Sequence, residues 1–442
     1  MEWTVWAALV LAALLLVVAS QRRRKYAAST QVSPSAKLPL PPGTMGLPWF
    51  GDTGLGLYLR HPAEWNTRKR TIYGDGEGKC VNVAHPWTWK QLLGAHSLSV
   101  AVGDDHARKR AVLSKAFTPT AIGMYAPVIE KITRETLSSW ATKGEFQLND
   151  EAKPFAFRMA TSILLGLDLS DEQATAFTDL FGARRQLLAM VEEVILRRRV
   201  RDSQRDPAEA AASRDILSIL LHDMRSGTEE TLSLDELKDQ VLLQMFAGHD
   251  TTSAALTSLA FVIARYPDVR RRLQEEVAAA FPDPAQPIPA EALSGEYLNA
   301  VIKEVLRVYT PVGGGFRDLS EDVEYQNQWF FPKGWKIRFS ALASHSDATV
   351  WPQPEKFDPE RFLEPRREDQ KVKGGYIPWG GGARVCLGQR LAVLELRMFA
   401  ILLVRCYEAE VVGDTSRMHY FPFQFPLAAF RVRPAATTPT HD

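Results

Sequence analysis

Cys386 is the residue best placed to do chemistry. It follows the run Gly380-Gly381-Gly382, stands two residues after Arg384, and opens an apolar pattern of helical spacing that runs from about Leu387 to Arg405. A thiol at a helix start beside a cation has its thiolate favoured by the dipole and by the charge, and a thiolate is either a nucleophile or a metal ligand. A nucleophile calls for a His base and an oxyanion arrangement, to which no motif points. A zinc site calls for further Cys or His at short spacing, and these are absent. One thiolate is enough for an axial haem ligand, and glycines admit a sharp loop and the close approach of something flat. A buried structural Cys is the plain alternative.

Four other stretches carry chemistry-bearing types at telling spacing. Ala247-Gly248-His249-Asp250-Thr251-Thr252 sits inside a long helical pattern, where Gly and a hydroxyl pair are locally unfavourable and mark a functional distortion or a capped break; His249 faces elsewhere on the helix and is given no role. Glu304 and Arg307 lie at i and i+3 on one helix face, by default a surface ion pair. Arg361 follows in Pro359-Glu360-Arg361-Phe362. His106 and Arg110 lie at i and i+4, one above the other on a helix, and Arg317 closes Val312-Gly313-Gly314-Gly315-Phe316-Arg317. Each of these cations is otherwise a solvated charge.

Trp379-x-x-Gly382-x-Arg384-x-Cys386-x-Gly388 resembles the haem-binding signature of the cytochrome P450 family, with Trp379 standing where Phe is usual. The other motifs occur in the family's order along essentially the whole chain. The resemblance implies haem b with Cys386 as axial ligand of the iron, and Trp379, Gly382 and Gly388 shaping its loop. It implies a buried triad of Glu304, Arg307 and Arg361 that locks the cysteine loop to the core. Thr251 becomes the hydroxyl of the oxygen-activation site and Asp250 its proton relay from solvent, while His106, Arg110, Arg317 and Arg384 become donors to the haem propionates.

The activity implied is insertion of one oxygen atom from O2 into a C–H bond of a small lipophilic substrate. Electrons come from NADPH through a cytochrome P450 reductase or from a ferredoxin-type donor, met by a basic patch of Lys109, Lys371, Lys373, Arg390 and Arg397. The expected substrate pocket is lined by the loop before His106 (Leu98, Val100, Val102), by Met245, Phe246 and Ala247, by Val312, Gly313 and Phe316, and by Phe423 within Phe421 to Phe425. Its apolar character points to an isoprenoid such as a retinoid, steroid, terpenoid or carotenoid fragment. Val312 to Arg317 followed by Phe331-Pro332-Lys333-Gly334-Trp335 looks most like the retinoic-acid hydroxylase branch and the neighbouring plant steroid and terpenoid oxidases. Three rival readings stand beside this one: a hydroperoxide-rearranging haem-thiolate enzyme, a non-catalytic haem-binding protein, and a Cys-dependent hydrolase on a membrane anchor.

Helical spacing positions these motifs. It covers about 104–118, 120–142, 151–167, 172–199, 214–225, 233–265, 267–280, 296–308 and 387–405, with short strands near 79–84, 323–326, 335–340 and 407–412. The fold class read from this is mainly α with a small β region. The stretch 233–265 is apolar nearly all round at Val241 to Phe246, so it runs through the middle of the protein. The charge run 197–206 reads as a solvated helix end.

The chain has 442 residues, of which 45% are hydrophobic and 24% charged, which excludes disorder. With 53 Lys+Arg against 52 Asp+Glu there is no global field to draw nucleic acid, and the 3 Cys exclude a disulfide framework. Trp3 to Ser20 is uncharged, and its roughly 18 residues approach the thickness of a bilayer. Gln21-Arg22-Arg23-Arg24-Lys25 follows, which favours a signal anchor with the remainder on the cytosolic side. The expected organisation is a transmembrane anchor over 1–21, a basic stop-transfer and proline-rich hinge over 22–49, and a single large haem domain over 50–442. By analogy the membrane is the endoplasmic reticulum.

Overall fold

The computed structural model describes residues 81–83, 92–167, 169–170, 173, 184–204, 215–225, 231–283, 286–290, 293–325, 329–420 and 422–435. The anchor over 1–21 and the hinge over 22–49 lie outside the described residues; among the described residues no helix is long and apolar enough to cross a membrane. The chain divides into two compact units, one made of 1–84 with 315–343 and the other of 85–314 with 344–442.

In the first unit, β1 (Val81–Val83) and β6 (Lys336–Phe339) flank β3 (Gly315–Leu319) in an antiparallel sheet. Asn82 pairs with Asp318, and Arg317 with Ile337. Close packing dictates Gly315, since a Cβ there would lie 2.7 Å from the Phe339 ring. The strands β4 (Val323–Tyr325) and β5 (Trp329–Phe331) form a separate antiparallel pair.

The second unit is helical: α1 (Gly103–Ser114), α2 (Pro119–Thr142), α3 (Leu148–Leu165), α4 (Arg184–Ser203), α5 (Ile216–Arg225), α6 (Leu234–Arg265), α7 (Pro267–Ala280), α8 (Glu296–Val308) and α9 (Gln389–Cys406). Local chemistry sets their ends. Thr118 caps α2 by accepting from the Ala121 N–H at 3.3 Å, with Pro119 in the first turn where its missing N–H costs nothing. Gly166, at φ 62°, closes α3. Ser233 and Glu236 form a reciprocal capping box at the start of α6, at 3.2 and 2.8 Å.

The apolar faces of α2, α3, α6, α8 and α9 meet in one core. There Trp140 on α2 stacks edge-on against Phe155 of α3 and Phe399 of α9, each at 6.0 Å. The sheet of this unit has the order β2-β10-β7, from Glu145–Gln147, Ala429–Pro434 and Tyr407–Val412, with Ala429 opposite both Gln147 and Val412. A two-stranded ladder joins β8 (Met418–His419) to β9 (Phe425–Pro426).

Several expectations need correction. The helix expected over 104–118 ends at Ser114 and tightens into a 3-10 turn at Lys115–Phe117. Of the helix expected over 172–199, Gln173 and Arg184 onward are helical, and 172 and 174–183 lie outside the described residues. Arg198, inside the supposedly solvated charge run, is buried, with its guanidinium on Asp215 at 2.6 Å, Ser218 at 2.7 Å and the Leu165 carbonyl at 2.7 Å. The central helix α6 is continuous through Gly248 to Thr252, with no break of the kind the Gly and hydroxyls foretold. Thr251 turns its hydroxyl back onto the Ala247 carbonyl at 2.6 Å, which satisfies the side chain without opening the helix.

Candidate active site

The cysteine loop is built before α9 begins. The Gly380 N–H donates to the Ile377 carbonyl at 3.1 Å, the Val385 N–H to the Gly382 carbonyl at 3.2 Å and the Cys386 N–H to the Trp379 carbonyl at 2.9 Å, so the segment folds back on itself. Gly380 and Gly382 stand at φ 70° and 64°, which only glycine adopts at little cost. Gly388 is the N-cap of α9, and Cys386 lies two residues ahead of it, not within the helix.

Its thiol accepts from the N–H groups of Gly388 and Gln389, the first donors of the helix. Desolvation by the protein around the sulfur pushes the thiol up from its ordinary value although the residue is exposed, while those two donors and the charge of Arg110 oppose the rise. The expectation of a thiolate favoured by Arg384 is therefore corrected in two respects: the net direction is upward, and the cation acting on the sulfur is Arg110. A free thiol held protonated is a poor nucleophile, whereas a metal ion deprotonates it on binding.

Arg110 and Arg384 tie this loop to the start of α1. Arg110 Nη2 donates to the Val385 carbonyl at 2.9 Å. Arg384 donates to the Leu98 carbonyl at 3.3 Å and the Ala101 carbonyl at 2.5 Å. His106, one turn before Arg110, is buried, and its pKa is lowered to about 4, by desolvation first and then by Arg384 and Arg110. Three basic side chains thus converge, and among the described residues no carboxylate forms an ion pair with Arg110.

The other face of α1 is spent internally. Lys109 is buried, with Nζ on Asp105 at 2.7 Å and on Glu236 at 3.3 Å. It cannot belong to a basic docking patch, because its charge is already neutralised out of solvent. Arg397 is half-buried, with Nε on the Asn299 side-chain oxygen at 2.8 Å. Lys371, Lys373 and Arg390 remain exposed.

On α6, Ala247 is exposed, Phe246, Asp250 and Thr251 are half-buried, and Met245 is wholly buried in the core. Met245 is therefore removed from the pocket: it shares the inward face with Val241 and Leu242, and the helical turn carries the next residues away from it. His249, given no role from sequence, places Nε2 3.2 Å from Asp250 Oδ1 and Nδ1 3.1 Å from the Met245 carbonyl, its ring edge-on to Phe157. Thr252 points toward α9, where Glu395 lies 3.5 Å from its hydroxyl. Burial lifts the Glu395 carboxyl to about 8.

Phe423 meets Phe246 with ring centroids 6.4 Å apart. Its neighbour Gln424 donates to the carbonyls of Pro311 and Val308 at 3.1 and 3.3 Å, which brings the segment of Phe423 beside that of Val312 and Gly313. Val102 and Val312 are exposed at 46% and 44%, unusual for large apolar side chains. Leu98 is in the core, and Phe421 lies outside the described residues. Phe316 and Arg317 belong to the first unit, where Phe316 is exposed and Arg317 lies over the Phe339 ring at 4.7 Å.

Glu304, Arg307 and Arg361 are all buried. Arg307 engages both carboxylate oxygens of Glu304, at 2.7 and 2.8 Å, and Arg361 Nε lies 3.4 Å away. Burial raises the Glu304 pKa, with the Arg307 contact and the Asp358 N–H opposing it. The remaining guanidinium N–H groups of Arg307 hold the carbonyls of His345, Pro354 and Lys356.

Two further members went unnoticed in the sequence. Glu368 takes Arg361 at 2.9 Å. The His345 ring accepts from the Ile377 N–H at 2.9 Å and bonds the Thr310 hydroxyl at 2.7 Å. The ion-pair cluster reaches the cysteine loop through His345. No spacing signals this, because the connection runs through main-chain groups.

The donor set suits a flat, iron-bearing macrocycle with acidic edges. It offers a lone exposed sulfur supported by two N–H groups, and a convergence of His106, Arg110 and Arg384 for carboxylates. At Gly381 and Gly388 a Cβ would meet nothing among the described residues within 4 Å, so packing among those residues does not explain the glycines. Among the described residues no cluster of His, Cys, Asp and Glu could hold a bare metal ion.

Comparison with known proteins agrees with this geometry. The family description "Cytochrome P450" matches residues 189–429. The chain is 32% identical to the putative cytochrome P450 120 of Synechocystis sp., over 90% of this chain and 97% of that one. It is 31% identical to cytochrome P450 26B1 of Homo sapiens, over 90% and 87%. Among solved structures, the retinoic-acid-bound cyanobacterial CYP120A1 superposes with a TM-score of 0.79 at 28% identity, covering 90% of this chain and 100% of that one. The mostly helical fold, the architecture of the sulfur site and these relatives converge on one conclusion: the chain belongs to the cytochrome P450 family and is a monooxygenase that works with haem b and takes its electrons from NADPH through a reductase.

Proposed function

We propose that this enzyme hydroxylates a lipophilic isoprenoid of retinoid type. The observation that carries the reading is the likeness, over 90% of the chain, to a cyanobacterial relative whose structure holds retinoic acid. Apolar side chains left open at Val102, Val312 and Ala247, with Phe246 and Phe423 beside them, supply the surface that such a substrate buries.

Cys386 is the proposed iron ligand, and Arg110, Arg384 and neutral His106 the proposed propionate donors. When bound, the haem supplies the oxidising chemistry. This chain's residues orient the substrate, exclude water and deliver protons. Thr251 holds a hydroxyl on the open face of α6. Asp250, half-buried and in reach of His249, is the carboxylate that moves protons inward from solvent. A rearranging or merely haem-binding protein has no use for that pair.

Exposed Lys371, Lys373 and Arg390 are proposed to meet an acidic electron donor, either a flavoprotein reductase or a ferredoxin. The segment 3–20 with its basic flank is proposed to anchor the protein to a membrane, that of the endoplasmic reticulum on the family analogy. The test of substrate class is titration of the haem-loaded protein with all-trans-retinoic acid, a sterol and a diterpene. A spectral shift with the retinoid at the lowest concentration is expected; tighter binding of the sterol or diterpene refutes the retinoid reading.

A further inference from the structure

The loop bearing Val100 and Val102 is fixed by a side chain for which oxygen chemistry has no use. Gln240, on the first half of α6, is fully buried. Its Oε1 accepts from the Leu98 N–H at 2.9 Å, and its Nε2 donates to the His96 carbonyl at 2.8 Å. A carboxamide that commits its oxygen and its nitrogen to main-chain groups two residues apart fixes both the height and the rotation of that segment. Asp239 adds Oδ2 to the His96 N–H at 3.0 Å, and a Cβ at Gly94 would lie 2.0 Å from the Asp239 carboxyl, so the loop is seated directly on this turn of the helix.

From the other side Arg384 of the cysteine loop takes the Leu98 and Ala101 carbonyls. Leu98 is thus gripped by its N–H from α6 and by its C=O from the cysteine loop. Between these grips the Val100 and Ala101 N–H groups both turn back to the Ser97 carbonyl, at 3.1 and 3.2 Å. The chain from 97 to 101 has no freedom to rise or sink without breaking one of these bonds.

We infer that Gln240 is a specificity-determining positioning residue. Paired with Arg384, it sets how far Val100 and Val102 project over α6, and so how bulky a substrate is accepted and which of its carbons is presented. The choice of retinoid as probe rests on the substrate reading above; the clamp itself does not.

The test uses the full-length, haem-loaded protein with Gln240→Leu, which matches the side chain in size and removes both bonds, and Gln240→Glu, which keeps the acceptor. Hydrogen–deuterium exchange at residues 97–101 is expected to quicken about tenfold in Q240L, the effect of losing buried hydrogen bonds. Exchange in α9 should not change, and neither should the thiolate-type spectrum of the reduced carbon monoxide complex nor the affinity for imidazole. All-trans-retinoic acid should bind about tenfold more weakly and give a broader product distribution, with Q240E intermediate in both readings. If Q240L takes up no haem, the same readings on Q240E decide. Loop exchange at the wild-type rate in the haem-loaded variants, or a uniform rise across the helical unit, overturns the clamp. A wild-type protein that ignores retinoic acid refutes the substrate reading, and loop exchange still decides the clamp.

Discussion

Cys386 is exposed, yet the protein around its sulfur raises the pKa of the thiol, so its worth lies in its placement more than in its acidity. Cys386→Ser is expected to abolish the thiolate-type absorption of the reduced carbon monoxide complex, and an unchanged spectrum would remove Cys386 as ligand. Thr251→Ala should continue to consume NADPH but release peroxide in place of product, which peroxide and product assays separate. Removing Arg307 strands the buried Glu304 carboxylate, at a cost of about 3 to 5 kcal/mol, read as a fall in the denaturant midpoint.

The buried ionisable groups pull stability in two directions. Glu395 is lifted from 4.5 to about 8, so the folded protein keeps a proton that the unfolded chain releases; its contribution is whole below about pH 4.5 and is lost as the pH rises through about 8. His345 and His106 are lowered from 6.5 to about 3 and about 4; their contribution is whole above about pH 6.5 and is lost as the pH falls through those values. Glu395→Gln should therefore flatten the alkaline fall in Tm and leave the acid limb as it was. The motif residues were legible because their types recur at fixed spacing. Gln240, His345 and Glu395 were not, because their partners are main-chain groups or hydroxyls far away in the chain.

Among the elements, α6 does the most work: one face is core, the opposite face carries Ala247 and Thr251, and its first turns hold the loop at 96–98. Hydrophobic periodicity located this helix well, since its capping box lies where Ser233 and Glu236 stand in the sequence. Periodicity did not fix its rotation, because a helix apolar nearly all round has no single preferred face, and so Met245 was assigned to the pocket when it lies in the core. Lys109 was misread for the converse reason, a cation on a charged helix whose acidic partner comes from another element. Gly248 tests whether the helix needs a weak point. Among the described residues a Cβ there would meet only Ala160 Cβ at 3.8 Å, so Gly248→Ala should raise stability by about 0.5 to 1 kcal/mol. A lower Tm in thermal unfolding would show that the site requires a glycine that the unbroken helix does not.

At the scale of the whole molecule, the mainly helical class was legible from composition and period, whereas the partition into two compact units was not. The first unit joins 1–84 to 315–343, segments far apart in the chain, and pairing of that kind leaves no local signature. Truncation before Pro39 should leave the haem spectrum intact and shift the protein from the membrane fraction to the supernatant; a protein that pellets regardless is held by another surface. The central claim, monooxygenation of a retinoid, is tested most directly by turnover. The haem-loaded protein is combined with a reductase, NADPH, all-trans-retinoic acid and isotopically heavy dioxygen, and the products are read by mass spectrometry. The account predicts an NADPH-dependent product that has gained one heavy oxygen atom. A protein with a normal thiolate spectrum that returns the retinoid unchanged would contradict it.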